Sequence, residues 1–207
     1  MKNPDSPLLV LLAGPNGAGK STFHDRFLSP YQLPFINADL ISLEIFGNQD
    51  PKTALESANV AEQQRRAMVA AGHSFIFETV LSDPAGAKIA FLREAQSLGY
   101  HIEAHFIGLA SPVLSQARVI ERVAKGGHDV PDAKIMARYA RTLENLVRLI
   151  PVADRLFIYD NSEVDRPYRM VAHFDSGELI ELSAEISTWL AFLDLEFKAG
   201  ATTVRIP

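Results

Sequence analysis

Cysteine is absent from this chain of 207 residues. Its absence excludes disulfides, thiolate metal sites and thiol nucleophiles, and it fits a reducing cytoplasm. Uninterrupted apolar runs of about 18 residues, long enough to cross a membrane, are also lacking. The polar, proline-containing stretch from Met1 to Pro7 does not have the apolar run of a signal peptide. We therefore expect a soluble, cytoplasmic protein with no membrane contact.

Positive charge is scarce as well. Lys and Arg number 20 against 25 Asp and Glu, which gives a formal net charge of −5. The chain therefore lacks the overall positive charge that attracts a polyanion. A nucleic-acid partner is disfavoured unless a local basic patch binds it. The composition, 47% hydrophobic and 22% charged, is typical of a globular protein, and we assign residues 1–207 to one domain.

The apolar segments alternate between short strands and helices, which is the α/β pattern. We predict strands at 8–13, 34–38, 74–79, 101–109 and 155–159. The predicted helices span 20–28, 53–71, 85–98, 112–125 and 131–150. A β-hairpin at 168–174 and 178–182 and a last helix at 184–198 complete the chain as a terminal appendage. The expected fold is a five-stranded parallel sheet wrapped by helices, with a C-terminal β-hairpin and helix.

A glycine-rich segment between the first predicted strand and helix fits the pattern G-x-x-x-x-G-K-S/T without a mismatch. Backbone N–H groups of such a P-loop surround phosphates, the lysine contacts the β- and γ-phosphates, and the hydroxyl binds Mg²⁺. We therefore predict ATP and Mg²⁺ as cofactors, with Lys20 also catalytic and Ser21 as the metal ligand. The predicted nucleotide-binding residues here are Gly14, Pro15, Asn16, Gly17, Ala18, Gly19, Lys20, Ser21 and Thr22.

A P-loop alone does not distinguish a kinase from a GTPase or a transporter ATPase. The sequence has neither an Asn-Lys-x-Asp guanine motif nor a Leu-Ser-Gly-Gly-Gln signature. Asp39 follows the second predicted strand, at the sheet edge where ligands bind. A carboxylate there can orient and deprotonate a substrate hydroxyl, which favours a kinase. The alternative role for Asp39 is to cap a helix that begins at Leu40.

Glu78 and Thr79 end the third predicted strand at the same edge, and we assign them to substrate binding. The Glu78 carboxylate can alternatively hold Mg²⁺ through water. Asn161 follows the fifth strand, and we predict that it contacts the nucleotide.

Positive charges gather around a Gly126-Gly127 hinge between the helices at 112–125 and 131–150, which predicts a helical lid at about 112–150. Arginines of a lid stabilise the charge on the transferred phosphate, and we assign this role to Arg118 and Arg122. His128 is a predicted substrate ligand. The cluster as a whole consists of Arg118, Arg122, Lys125, His128, Arg138 and Arg141.

Several runs along the chain, taken in order, resemble the bacterial zeta-toxin-like P-loop kinases. They are GPNGAGKST, INAD, FIFET, RVIERVAKGGHDVP, ARYARTLENL and YDNS, which together extend from Gly14 to Ser162. The resemblance implies a P-loop kinase core that phosphorylates a hydroxyl of UDP-N-acetylglucosamine or a related UDP-sugar, and an antitoxin protein as a partner. It also implies that Lys20 is the nucleotide-binding lysine, that Asp39 is the general base, and that Glu78 and Thr79 contact the substrate.

Two features depart from the family pattern. The toxins use two arginines near the transferred phosphate, whereas here the lid has only Arg118 and Arg122 just before its Gly126-Gly127-His128 segment. The chain is also shorter than the toxins, which leaves less room for a sugar nucleotide. Two alternatives to a small-molecule kinase remain, an ATP-dependent switch with slow hydrolysis and a polynucleotide 5′-kinase. The second would need a basic channel that the net charge does not indicate.

Overall fold

Seven of the described strands form one mixed β-sheet in the computed structural model, which describes residues 6–48, 53–124, 131–193, 195–198 and 201–204. The strands of this sheet are β1 (Leu8–Ala13), β2 (Phe35–Ile36), β3 (Phe75–Thr79), β4 (His101–Gly108), β5 (Arg155–Asp160), β6 (Arg169–Asp175) and β7 (Glu178–Leu182). Their order is β2-β3-β1-β4-β5-β6-β7. The first five are mutually parallel, whereas β6 and β7 are antiparallel to their neighbours. The predicted parallel sheet of five strands is therefore confirmed.

Strand β1 lies in the interior of the sheet, because it pairs with β3 on one side and β4 on the other. Leu9–Ala13 are all 0% exposed. Leu9 and Leu11 belong to the core on one face, while Val10 and Leu12 belong to the core on the opposite face. This burial on both faces explains the uninterrupted apolar sequence of the strand.

Helices cover both faces of the sheet. They are α1 (Lys20–Phe23), α2 (Ala38–Phe46), α3 (Ala54–Ala70), α4 (Ala87–Ser97), α5 (Pro112–Ala124) and α6 (Asp132–Leu149). The chain continues α1 as a π-helical turn to Leu28, so the predicted helix at 20–28 is helical with an irregular second half. None of the described helices is long and apolar enough to cross a membrane.

The predicted hairpin is not an appendage, because it extends the main sheet. Strand β6 pairs with β5 in antiparallel register, with Leu156 opposite Phe174 and Ile158 opposite Ala172. All four side chains are buried in the same core. The hairpin therefore joins the sheet because its apolar positions complete the core beside β5.

The predicted helix at 184–198 is wrong. A short 3₁₀ helix occupies Thr188–Leu193, and the described residues beyond it form an antiparallel pair, β8 (Leu195–Lys198) and β9 (Ala201–Val204). Trp189 is 6% exposed and packs so closely on β4 that a Cβ atom at Gly108 would lie 2.0 Å from its ring. This tertiary contact outweighs the helix propensity of the segment.

Helix α6 is bound to the loop that follows β3. The Thr142 hydroxyl donates to the Val80 carbonyl at 2.8 Å, and the Asn145 amide donates to the carbonyls of Leu81 and Asp83 at 3.0 Å. These bonds fix the second half of the predicted lid. The predicted hinge at 126–127, with Lys125 and His128, lies outside the described residues.

Glu62 on α3 forms ion pairs with three cations, Arg65 at 2.5 Å, Arg66 at 3.0 Å and Lys88 at 2.8 Å. Burial alone would raise the pKa of Glu62, but hydrogen bonds and charges from Lys88 and Arg65 outweigh it. The pKa of Glu62 falls from its ordinary 4.5 to about 2. Because the folded-state pKa is lower, the stabilisation is present above about pH 4.5 and is lost as pH falls towards 2.

We predict that Glu62→Gln lowers the free energy of unfolding by about 1–2 kcal/mol at pH 7, a value reduced for partial exposure. The difference between wild type and variant should shrink as pH falls below about 4.5, because protonated Glu62 no longer attracts the cations. Urea unfolding at pH 7, 5 and 3.5 measures both effects. The exposed Glu144→Gln substitution is the control, and a pH-independent difference for Glu62→Gln would contradict the prediction.

Candidate functional site

The P-loop runs between β1 and α1 in a conformation that requires glycine at its start. Gly14 has φ +144°, and a Cβ atom there would lie 2.1 Å from the Ile107 carbonyl oxygen. Gly19 has φ +88° immediately before Lys20 begins α1. The predicted strand, loop and helix are therefore present, in the order that an anion site at a helix N-terminus requires.

The Lys20 side chain is folded back over this loop and is only 7% exposed. Its Nζ donates to the carbonyl oxygens of Gly14 at 3.0 Å and Pro15 at 3.1 Å, and lies 3.6 Å from Glu78 Oε1. Burial lowers the pKa of Lys20, while the charges of Glu78 and Asp39 oppose this change. Two carbonyl oxygens and a carboxylate thus hold the ammonium next to the loop. A phosphate can replace them, because its oxygens form charge-assisted hydrogen bonds with the ammonium.

Glu78 is the polar centre of the site. Besides the Lys20 contact, its Oε2 accepts hydrogen bonds from the Ser21 hydroxyl at 3.3 Å and the Asn37 amide at 2.8 Å. The neighbouring Thr79 hydroxyl accepts a hydrogen bond from the Leu81 N–H at 3.0 Å and stabilises the turn after β3. Glu78 therefore contacts both the P-loop and the end of β2.

Asp39 does not cap helix α2. The cap is Asn37, whose Oδ1 accepts hydrogen bonds from the N–H groups of Asp39 at 2.7 Å and Leu40 at 3.3 Å. The helix begins at Ala38, earlier than the predicted start at Leu40, and the exposed Asp39 lies in its first turn. The alternative role of Asp39 as the N-cap is therefore wrong, because the preceding asparagine already performs it.

Asp39 and Glu78 line the same pocket, a cavity of about 500 Å³ that we call the acceptor pocket for the role that we propose for it. Its remaining wall comes from α3, the loop after β3, α4 and α6. The lining residues are Asn37, Ala38, Asp39, Ala58, Ala61, Arg65, Glu78, Thr79, Val80, Ser82, Asp83, Pro84, Lys88, Arg138 and Arg141. A cavity of this size accommodates a small organic molecule.

A second cavity, of about 730 Å³, borders α1 at Thr22, and we call it the nucleotide-side pocket for the role that we propose for it. It contains Thr22, Arg118, Arg122 and Asn161, all predicted site residues. The full lining is Thr22, Arg26, Arg118, Glu121, Arg122, Asn161, Glu163, Val164, Pro167 and Tyr168. The predicted basic cluster is therefore divided, since Arg138 and Arg141 line the acceptor pocket instead. His128 lies outside the described residues.

Two side chains of this second cavity, Tyr168 and Asn161, hold the P-loop, and sequence reasoning missed Tyr168. The Tyr168 hydroxyl donates to the Gly19 carbonyl at 2.9 Å, and the Asn161 amide donates to the Ala18 carbonyl at 2.9 Å. The Tyr168 N–H in turn donates to Asn161 Oδ1 at 3.2 Å, with Tyr168 at φ +55°. The observed contacts of Asn161 are thus with the loop backbone, and no local pattern marks Tyr168, since its partners lie far away in the sequence.

Residues 9–170 match the family model described as AAA domain. A protein of Haemophilus influenzae (strain Rd) with no described function is 26% identical over 131 residues, which cover 63% of this chain and 91% of that protein.

Among solved structures, a complex of AvrRxo1-ORF1 with AvrRxo1-ORF2 and sulphate ions matches with TM-score 0.65 and 17% identity. The match covers 90% of this chain and 62% of the other, so this chain spans about three fifths of the length of that protein. The same complex with ATP matches at TM-score 0.62 and 17% identity, covering 86% of this chain and 61% of the other.

A structure of the PezAT chromosomal toxin–antitoxin system of Streptococcus pneumoniae matches with TM-score 0.61 and 19% identity, covering 83% of this chain and 73% of the other. At these identities the structural matches establish the fold, an α/β P-loop kinase fold.

We predict that Tyr168→Phe weakens ATP binding about threefold or more, because the Gly19 carbonyl loses its donor and the loop is less firmly held. Tyr31→Phe is the matched control, since it removes a hydroxyl that bonds to Glu103 at 2.9 Å, away from the P-loop. Calorimetric titration with ATP, beside thermal melts, measures affinity separately from stability. Equal ATP affinities in the wild type and both variants would show that the hydroxyl does not position the loop.

Proposed function

Because the chain belongs to the AAA-domain family of P-loop proteins, we propose that it is an ATP-dependent phosphotransferase that phosphorylates a hydroxyl of a small molecule. The observation that carries this proposal is that Asp39 and Glu78 line one acceptor pocket, and that Glu78 also contacts Lys20 and Ser21 of the P-loop. A bound acceptor would therefore lie beside the nucleotide phosphates. A switch that only hydrolyses ATP has no need of such a pocket.

In this proposal the P-loop N–H groups and Lys20 bind the β- and γ-phosphates. Ser21 and Glu78 fit a magnesium ion, because they present a hydroxyl and a carboxylate oxygen that approach within 3.3 Å of each other. When bound, Mg²⁺ would neutralise part of the negative charge of the phosphates. Arg118 and Arg122 lie along the nucleotide-side pocket, where cations would stabilise the phosphate chain.

Asp39 is the proposed general base. It accepts the proton of the acceptor hydroxyl while that oxygen forms a bond to the γ-phosphorus, and the bond from the γ-phosphorus to the bridging oxygen of ATP breaks. The products are ADP and a phosphate monoester, and the proton passes from Asp39 to solvent. Asn37 supports this step, since it caps α2 and leaves the Asp39 carboxylate in the pocket.

The acceptor that the sequence resemblance favours is a UDP-sugar such as UDP-N-acetylglucosamine. The fold shared with a toxin–antitoxin structure supports an antitoxin protein as a partner. Both remain parts of the proposal, to be tested separately from the phosphotransferase activity.

We predict that Asp39→Asn reduces phosphoryl transfer by about 100-fold or more, because the amide cannot accept the proton. ATP affinity should hardly change in this variant. Lys20→Ala should instead weaken ATP binding and remove most activity. Calorimetry with ATP, product formation and thermal melts distinguish the two effects. An Asp39→Asn protein that folds, binds ATP and transfers phosphate at the wild-type rate would eliminate Asp39 as the base.

For the acceptor, we predict that UDP-N-acetylglucosamine is consumed in the presence of ATP and Mg²⁺, with release of one ADP per molecule phosphorylated. Mass spectrometry of the reaction detects the added phosphoryl group. The Asp39→Asn variant is the control for contaminating kinases. If another hydroxylated metabolite is phosphorylated and no UDP-sugar is, the substrate assignment fails while the phosphotransferase stands.

A further inference from the structure

One wall of the acceptor pocket contains a buried guanidinium with an unused donor. Arg65 is 4% exposed, and its Nε is buried with no hydrogen-bond partner within the described residues. Its Nη2 reaches Glu62, and its Cζ lies 5.2 Å from the centre of the Phe77 ring. Burying a guanidinium is costly unless its charge and its N–H groups have partners. Arg65 has one unpaired donor and only a shared carboxylate, so its positive charge is incompletely compensated at the wall of the pocket.

Three further cations line the same pocket. Lys88 shares the Glu62 carboxylate with Arg65, at 2.8 Å. Arg138 and Arg141 lie one turn apart on α6, and Arg141 Nε donates to the Ser82 carbonyl at 2.9 Å, which fixes its position on the pocket wall. Neither of these two arginines is ion-paired within the described parts of the chain.

The balance of charge on this side of the pocket is positive. The single Glu62 carboxylate forms ion pairs with three cations, Arg65, Arg66 and Lys88. Four cations line the pocket against three carboxylates, Asp39, Glu78 and Asp83. Of these carboxylates, Glu78 is already paired with Lys20. Positive charge therefore gathers at this cavity, although the whole chain carries a formal net charge of −5.

From this arrangement we infer that the acceptor molecule carries an anionic group, a carboxylate or a phosphate, which binds Arg65, Lys88, Arg138 and Arg141. Its hydroxyl lies at Asp39 in the same cavity of about 500 Å³. This inference rests on the proposed phosphotransferase function and specifies its substrate as a hydroxylated anion. A planar guanidinium binds either oxyanion through two parallel hydrogen bonds, which a neutral sugar or alcohol does not offer.

The first experiment sorts acceptors by charge. A small-molecule cell extract is separated on an anion-exchange column at pH 8 into unbound and bound fractions, and each is added to the protein with ATP and Mg²⁺. We expect acceptor-dependent ADP release from the bound fraction. Release from the unbound fraction alone would overturn the inference and keep the phosphotransferase, whereas no release from any fraction would reject both. Phosphatase treatment of the active fraction then separates a phosphate monoester, whose activity is lost, from a carboxylate or a UDP-sugar with its internal diphosphate, whose activity is kept.

The second experiment uses variants with that active fraction. Arg65→Gln and Arg138→Gln should each raise the KM for the acceptor about 10-fold or more, with the KM for ATP changed less than about twofold. Arg138 lies partly exposed on α6, so its substitution tests the inference even if Arg65→Gln impairs folding. Arg93→Gln, on the exposed side of α4 and outside the pocket, is the matched control. An unchanged acceptor KM in Arg138→Gln, or a change in kcat alone, would contradict the inference.

Discussion

The Glu78 carboxylate joins the two halves of the candidate site, and the rest of the arrangement depends on where the sheet places it. Strand β3 lies between β1 and β2, with Glu78 opposite Leu12 in parallel register. Parallel strands end at one edge, so the last residues of β3 meet the P-loop on one side and Asn37 on the other. One side chain can therefore contact the buried Lys20, the Ser21 hydroxyl and the cap of α2. A change in this register would separate the P-loop from the acceptor pocket.

The parts of the fold that follow from local sequence could be predicted, and those that depend on distant contacts could not. The Gly14 to Ser21 pattern specifies its own backbone, since glycine positions and the flanking strand and helix are local. The end of the chain was mispredicted, because the burial of Trp189 against β4 decides its structure. Asp39 was expected directly after the second strand, but β2 ends at Ile36, Asp39 lies in the first turn of α2, and Asn37 caps that helix. The roles assigned to the individual site residues stay predictions.

Two features of the candidate site could not be recognised in the sequence, for the same reason. Tyr168 and Asn161 hold carbonyls of the P-loop that are more than a hundred residues away along the chain, a relation that only packing creates. Arg65 lies in a helix rich in Ala, Glu and Gln, a composition typical of an exposed helix, yet it occupies the stripe that faces the sheet. Net charge was equally uninformative about the acceptor pocket, since it averages over a surface on which the cations are concentrated locally.

The antiparallel hairpin β6–β7 has a consequence for how the protein can be divided. The region shared with the family ends at residue 170, only just inside β6. A fragment cut there would leave most of the backbone N–H and C=O groups along one side of β5 without partners and would uncover Leu156 and Ile158. Such an open edge pairs readily with other chains, so the fragment would aggregate even though it retains the complete P-loop. The hairpin thus covers the edge of β5 and the core beneath it, and shortened forms of the chain need to retain it.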